Sequence, residues 1–214
     1  MPENLPNPLR PRMIVGIDGV SGIGYGLRLI EALRRLDVET HVVMADVHEH
    51  SAGLETPLSV SNVRAAADYW YTDVDAGVTL TSDSLHLLGM IVAPCSAHSL
   101  SAIASGNASG LLARAADICL KNRRRVVLLF GEAPLHSDHI RSMAAATDHG
   151  AIVFPPVADI DDRSQSCDTL MDRTIGRILD LFELDATHAS PRSNGVALIP
   201  ADWNTQPDPE ESAA

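Results

Sequence analysis

The sequence predicts an α/β fold in which a doubly wound parallel sheet lies between two layers of helices. Short apolar runs rich in β-branched residues recur along the chain, and each is followed by a stretch with apolar residues at helical spacing. Parallel strands need right-handed crossovers, so this alternation places helices on both faces of one sheet. A length of 214 residues with 45% apolar residues suits one three-layer domain with a sizeable core.

Five apolar runs are predicted to be strands, at residues 13–17, 40–45, 89–95, 126–130 and 151–154. Helices are predicted at 27–36, 61–71, from 96 onward, 111–121, 135–147 and 164–184. Residues 1–11 are polar and proline-rich, which predicts a flexible N-terminal arm. The domain therefore spans 12–184, and residues 185–214 form a C-terminal tail or an arm that orders on a neighbouring subunit.

Composition excludes several functional classes. A net charge of −12 argues against nucleic-acid binding. No apolar run reaches the roughly 18 residues of a membrane span, and no secretory signal is recognisable. Three widely spaced cysteines suit a reducing cytoplasm better than a disulfide framework. The pair His48 and His50 lacks further ligands, so a solvated loop is a simpler interpretation than a metal site, and no metal is expected.

A glycine-rich turn follows the first strand and organises the rest of the chain. Residues 19–22 read Gly-Val-Ser-Gly, and a helical pattern begins directly afterwards. Glycines allow a ligand close to the backbone, and the free amides and dipole of a helix start favour an anion such as phosphate. Ser21 can cap the helix or bind that anion. A tight β–α turn without a ligand is the alternative interpretation.

Two further strand ends carry polar side chains where open α/β sheets place their ligands. Ser96 to Ser99 open a helix after the third strand, and their hydroxyls suit capping or phosphate binding. His98 is either a surface residue or a ligand contact. Glu132 follows the fourth strand, where it is either a helix-start feature or a functional carboxylate. Arg114 and Lys121 lie seven residues apart on one helix face, and for each taken alone a solvated surface charge is the simpler interpretation.

Five segments taken together resemble the flavin prenyltransferase (UbiX-like) family, over residues 12–184 and in the same order. They read GVSGIGYGLRLIEAL, GMIVAPCSAHSLSAIASG, LLARAADICLKNRRR, GEAPLHSDHIRSM and GAIVFPPV. The resemblance implies a Rossmann-like (flavodoxin-like) flavoprotein that forms a homo-oligomer, a trimer or a dodecamer. It also implies transfer of a dimethylallyl group from dimethylallyl phosphate to reduced FMN. The product, prenylated FMN, then serves a UbiD-type decarboxylase.

The resemblance also implies roles for individual residues. The cofactor-binding positions are those of the two turns, Gly19, Val20, Ser21, Ser96, Ala97, His98 and Ser99. Glu55 and Glu132 match acidic positions associated with the transfer chemistry. Glu132 would relay a proton from the flavin or protonate the departing phosphate. The basic residues Arg114, Lys121 and Arg177 match positions that hold the prenyl phosphate.

Some ligand-contacting positions depart from the family pattern. Asp18 replaces a serine or threonine, Ala45 replaces a hydroxyl residue, Gly131 replaces an arginine and Asp161 replaces a tyrosine. The alternative hypothesis is therefore a divergent paralogue without prenyl transfer. Such a protein would be an FMN-binding accessory subunit, a flavin-dependent decarboxylase, or a scaffold that binds a different ligand near Asp18.

Overall fold

A computed structural model describes residues 10–18, 22–45, 60–71, 87–107, 110–156 and 167–185. Most of both predicted arms lies outside these ranges, so the predicted domain limits stay a prediction. The described strands are β1 (Arg12–Ile17), β2 (Glu39–Met44), β3 (Tyr69–Tyr71), β4 (Leu87–Cys95), β5 (Arg125–Phe130) and β6 (Ile152–Phe154). The described helices are α1 (Ile23–Arg35), α2 (Val60–Ala66), α3 (Ala97–Ala104), α4 (Leu111–Lys121), α5 (Ser137–Asp148) and α6 (Cys167–Asp180).

The described strands form one parallel sheet in the order β3-β2-β1-β4-β5-β6. The chain moves from β1 outward to β2 and β3, and then crosses to β4 on the other side of β1. Without the short edge strand β3, the order is that of flavodoxin-like folds. The predicted α/β class and doubly wound parallel sheet are confirmed. The order in which strands are added to the sheet reverses between β1 and β4. Open α/β sheets bind their ligands at such a point, beyond the carboxyl ends of the strands.

The predicted helix over residues 61–71 is wrong in its second half. Helix α2 ends at Ala66, and Tyr69–Tyr71 forms the edge strand β3, which pairs in parallel with β2. Three consecutive aromatic residues have high strand propensity, and the free edge of β2 offers them backbone hydrogen bonds. Asp68 supports the turn, because its carboxylate accepts hydrogen bonds of 2.9 Å from both the backbone N–H and the hydroxyl of Thr40.

Two aliphatic cores cover the two faces of the sheet. On one face, α1 and α6 pack together, and their side chains contact Val15, Val42 and Val127 of the strands. On the other face, α3, α4 and α5 cover Ile14, Met90 and Leu128. This arrangement is the expected three-layer domain. No helix in the described ranges combines the length and the apolar character that crossing a membrane requires.

Candidate active site

The carboxyl ends of β1 and β4 meet at the point where the strand order reverses. Asp18 follows β1 directly, and its backbone N–H donates a hydrogen bond of 3.1 Å to the carbonyl oxygen of Pro94 in β4. The hydroxyl of Ser96, which follows β4, donates to the Asp18 carboxylate. Asp18 is only 3% exposed. Asp18, a buried carboxylate, therefore joins the ends of β1 and β4, the strands after which the cofactor turns were predicted.

Helix α1 begins at this junction. Its N-cap residue is Gly22, which has a φ of 87° and no side chain to cap the helix. None of the first-turn residues 23–26 is acidic. The first amides of a helix have no partner within the helix, and the dipole adds partial positive charge there. The start of α1 is therefore suited to an anion. The predicted capping residue Ser21 lies outside the described residues, with Gly19 and Val20.

Helix α3 begins at the same edge of the sheet, and Ser96 occupies its N-cap position. The Ser96 hydroxyl accepts a hydrogen bond of 3.2 Å from the backbone N–H of Ser99. This geometry confirms the capping interpretation of Ser96. Ser99 is buried, Ala97 is partly buried, and His98 is exposed on the first turn. Ser96 to Ser99 thus lie beside the start of α1, as the prediction of a shared cofactor site requires.

Glu132 lies just beyond the end of β5 and is exposed. Further along the same segment, His136 and His139 stack with their ring centroids 3.6 Å apart, and His139 also meets the ring of Phe130 edge-on. The sequence shows both histidines, but their stacking follows from the turn after β5 and could not be read from spacing alone. The described residues include no group of three or more side chains suited to a metal ion.

The three basic residues predicted to hold a phosphate lie in different parts of the chain. Arg114 is exposed in the first turn of α4. Lys121 ends α4, where its ammonium lies 2.6 Å from the carboxylate of Asp117. Arg177 is exposed near the end of α6, with its guanidinium 5.4 Å from the centre of the Phe154 ring. No single cationic pocket is formed by these three side chains within one chain.

Lys121 lies at the opposite edge of the sheet from Glu132. Only Asn122 to Arg124 separate it from the start of β5, and Arg125 is paired with Gly89 near the beginning of β4. Glu132 follows the other end of β5. A six-residue strand is about 20 Å long, so one chain does not bring Lys121 and Glu132 together. A phosphate-binding role for Lys121 at this site requires Lys121 of a second copy.

Comparison with known proteins identifies the family. The Flavoprotein family model matches residues 4–179. The flavin prenyltransferase UbiX of Escherichia coli K12 is 43% identical over 174 residues, which cover 81% of this chain and 92% of that protein. The flavin prenyltransferase UbiX of Thauera aromatica is 41% identical over 81% of this chain and 90% of its own length. This chain belongs to the UbiX family of flavoproteins.

Solved structures of UbiX proteins share the fold. The structure of AnUbiX (PadA1) in complex with FMN and dimethylallyl pyrophosphate matches with a TM-score of 0.78 and 43% identity, covering 88% of this chain and all of that one. A dodecameric FMN-dependent UbiX-like decarboxylase from Escherichia coli O157:H7 matches with a TM-score of 0.76 and 37% identity, covering 86% of this chain and all of that one. The peptidyl-cysteine decarboxylase EpiD, at 13% identity, shares the fold alone.

Three departures from the UbiX pattern lie within the described residues. Asp18 is hydrogen-bonded by Ser96, as described above. The backbone N–H of Ala45 donates a hydrogen bond of 3.1 Å to the carbonyl of Ile17, which ties the end of β2 to β1. A Cβ atom at Gly131 would approach Cγ of Pro156 to 2.9 Å. An arginine at position 131 therefore requires the Pro156 ring to move. Asp161 and the predicted catalytic residue Glu55 lie outside the described residues.

The two buried cysteines, Cys95 and Cys119, have thiols that resist deprotonation. Burial raises the pKa of the Cys119 thiol to about 11. Burial also raises the pKa of Cys95, and the nearby Asp18 carboxylate adds to that rise. Cys167 is exposed at the start of α6. Buried thiols with raised pKa values stay protonated at neutral pH and are poor nucleophiles.

Proposed function

We propose that this protein is a flavin prenyltransferase that transfers a dimethylallyl group from dimethylallyl phosphate to reduced FMN. The proposal depends on one observation in this chain of the UbiX family. Helices α1 and α3 both begin at the point where the strand order reverses between β1 and β4. A relative with 43% identity was crystallised with FMN and dimethylallyl pyrophosphate, which supports the same pair of ligands here. The product, prenylated FMN, would pass to a UbiD-type decarboxylase.

The residues at the junction fit FMN. The amides at the start of α1 and the capped start of α3 offer donors suited to a phosphate group. Gly22, the N-cap residue of α1, provides no side-chain cap hydrogen bond. The site residues Gly19, Val20, Ser21 and Ser96 to Ser99 would hold the cofactor. Among the described residues at the junction, the buried Asp18 carboxylate opposes an anion.

The reaction places two demands on the protein. Reduced FMN, when bound, supplies the nucleophile that accepts the dimethylallyl group. The departing phosphate needs fixed positive charge, which Arg114, Lys121 and Arg177 would provide. Glu132 and Glu55 are the candidate catalytic carboxylates, and Glu132 would hold the proton that moves during the transfer. Exclusion of water around the allylic group protects it from hydrolysis.

A homo-oligomer follows from the position of Lys121. Because Lys121 and Glu132 occupy opposite edges of one sheet, Lys121 of one copy would complete the site of another. The dodecameric relative supports such an assembly, and we propose a trimer or a dodecamer. The free cysteines at 95, 119 and 167 support a reducing compartment, and we expect the protein to act in the cytoplasm.

A Glu132→Gln variant tests the proposed chemistry. The amide keeps the size of the side chain but cannot carry the proton, so prenyl transfer should fall by at least about 10²-fold. FMN affinity should stay within about twofold, because Glu132 is not placed in the cofactor turns. Product is measured by mass spectrometry after anaerobic incubation of reduced FMN with dimethylallyl phosphate, and in parallel with dimethylallyl pyrophosphate. Glu31→Gln on α1 is the matched control.

Two outcomes would contradict the proposal. Prenyl transfer at the wild-type rate by the Glu132→Gln variant would remove Glu132 from the mechanism. Wild-type protein that binds FMN but forms no prenylated product with either donor would instead indicate a flavin-binding protein without prenyl transfer.

A further inference from the structure

We propose that Asp18 sets how strongly the site prefers a phosphorylated flavin over one without a phosphate. Its buried negative charge weakens the hold on the FMN phosphate, while riboflavin is affected little. The inference rests on the proposed function, because it assumes that FMN binds at the junction of β1 and β4. It concerns a residue that departs from the family pattern of a serine or threonine.

The position of Asp18 supports this role. It directly precedes the predicted phosphate-binding turn, and its own N–H is bound to Pro94 of the neighbouring strand. Its carboxylate accepts the Ser96 hydroxyl, which in turn accepts the N–H of Ser99. At 3% exposure, the carboxylate is held in place by both strands and has little contact with water. The charge therefore stays at a fixed position beside Ser96, at the end of β1.

The bond to Asp18 also limits what Ser96 can offer a ligand. A serine hydroxyl has one hydrogen to donate, and Ser96 donates it to Asp18. Ser96 therefore cannot donate a hydrogen bond to a phosphate oxygen while this pair is intact. With a neutral serine or threonine at position 18, the hydroxyl of Ser96 has freedom to turn toward the ligand. Both effects act against the phosphate and in the same direction.

The charge has a clear electrostatic consequence. Like charges repel more strongly across a buried, weakly polarisable site than in water. An FMN phosphate carries negative charge at neutral pH, and riboflavin has no phosphate. A weaker hold on the phosphate also favours release of a flavin product that has to leave for another enzyme. Asp18 is thus a positioning residue whose charge tunes selection and release of the flavin.

Binding titrations of oxidised FMN and riboflavin test the inference without any assay of activity. Flavin fluorescence is followed for wild-type protein, Asp18→Asn, Ser96→Ala and the control Asp148→Asn. Asparagine keeps the size of the side chain and an acceptor for Ser96 but removes the charge. Asp148 ends α5 at the opposite edge of the sheet and is exposed, so its variant matches the change in net charge. Thermal unfolding of each apoprotein confirms that it is folded.

The expected result is a gain in affinity for FMN alone. Asp18→Asn should lower the Kd for FMN by about tenfold. Removal of one like charge from a buried position is sufficient for an effect of this size. The Kd for riboflavin should change less than twofold, and Asp148→Asn should change neither constant. Ser96→Ala keeps the charge, so it should not reproduce the FMN-selective gain.

Each other outcome overturns the inference. An unchanged or higher Kd for FMN in Asp18→Asn would show that the carboxylate acts only in holding the turns together. An equal gain in affinity for FMN and riboflavin would show that Asp18 does not act through the phosphate group. If neither the wild type nor any folded variant binds FMN, the proposed function and this inference are both overturned. That outcome differs from the first two, in which FMN still binds.

Discussion

His41 shows how one buried residue couples the stability of the sheet edge to pH. Its side chain is 3% exposed. One ring nitrogen lies 2.9 Å from the Tyr71 hydroxyl and the other 3.0 Å from the Glu39 carboxylate. The same carboxylate pairs with Arg12 at 2.7 Å. Burial lowers the pKa of His41, and the hydrogen bond that its ring N–H donates to the Glu39 carboxylate opposes that shift only in part.

We therefore expect the free energy of unfolding to decrease as the pH falls through about 6.5, the usual pKa of histidine. Below that pH the unfolded imidazole takes up a proton that the buried one does not, so protonation favours the unfolded state. The contribution of His41 is fully present above pH 6.5. This contribution is measured by urea unfolding of wild type and of His41→Gln at a series of pH values from about 7.5 to about 5.5.

The wild-type protein should lose more stability across this pH range than His41→Gln. Other histidines and carboxylates titrate in both proteins, so the difference between the two slopes isolates His41. Equal slopes would show that the pKa of His41 is the same in the folded and unfolded chains.

At the scale of an element, helix α1 approaches the sheet closely because glycine occupies position 26. A Cβ atom there would lie 2.7 Å from the backbone oxygen of Ala93 and 2.9 Å from Cδ1 of Ile17. The backbone oxygen cannot move without disturbing β4. The glycine therefore allows the start of α1 to lie beside the end of β4.

A Gly26→Ala variant should lose about 1–3 kcal/mol of stability through overpacking, despite the higher helix propensity of alanine. The displaced start of α1 should also weaken FMN binding. Chemical denaturation and an FMN titration measure the two effects. Ser101→Ala, at an exposed position of α3, should change stability by less than about 0.5 kcal/mol. A Gly26→Ala protein as stable as wild type would show that α1 can move away from β4 without penalty.

At the scale of the whole molecule, the sheet separates the groups that the proposed reaction must combine. Glu132 follows the end of β5, and Lys121 lies just before its start. A single chain would therefore present one half of the proposed site at each edge. Assembly of several copies is then a requirement of the proposed mechanism and would determine whether the protein is active.

Mixing two inactive variants tests this requirement. Lys121→Ala and Glu132→Gln proteins should each be inactive, and their co-expression should restore activity. If each site takes Glu132 from one copy and Lys121 from another, random assembly in a ring restores about one site in four. Prenyl transfer by the mixed protein measures the recovery, and light scattering gives the oligomer mass relative to the 22.9 kDa chain. No recovery in a mixed oligomer would place both residues of a site in the same chain.

Most of the fold was predictable because its signals are local. The apolar runs that became β1, β2, β4, β5 and β6 are continuous, and the spacing of Leu27, Ile30 and Leu33 marks α1 without reference to any partner. The aromatic run at 69–71 was assigned wrongly, because helix and strand were both compatible with its composition. Only the free edge of β2 decided between them.

The sequence predicted single features near the candidate site but not their arrangement. The Ser96 cap and the position of Glu132 after β5 follow from residue types at strand ends, whereas the glycine turn at 19–21 lies outside the described residues and stays a prediction. The ordered motifs alone identified the UbiX family. The sequence by itself thus determined the fold class and the family, since these depend on local propensity and on the order of the motifs. Only the tertiary structure decided that Asp18 is bound by Ser96 and that Lys121 lies across the sheet from Glu132. Those relations join residues that are distant in the chain, and the packing of the strands sets their separation in space.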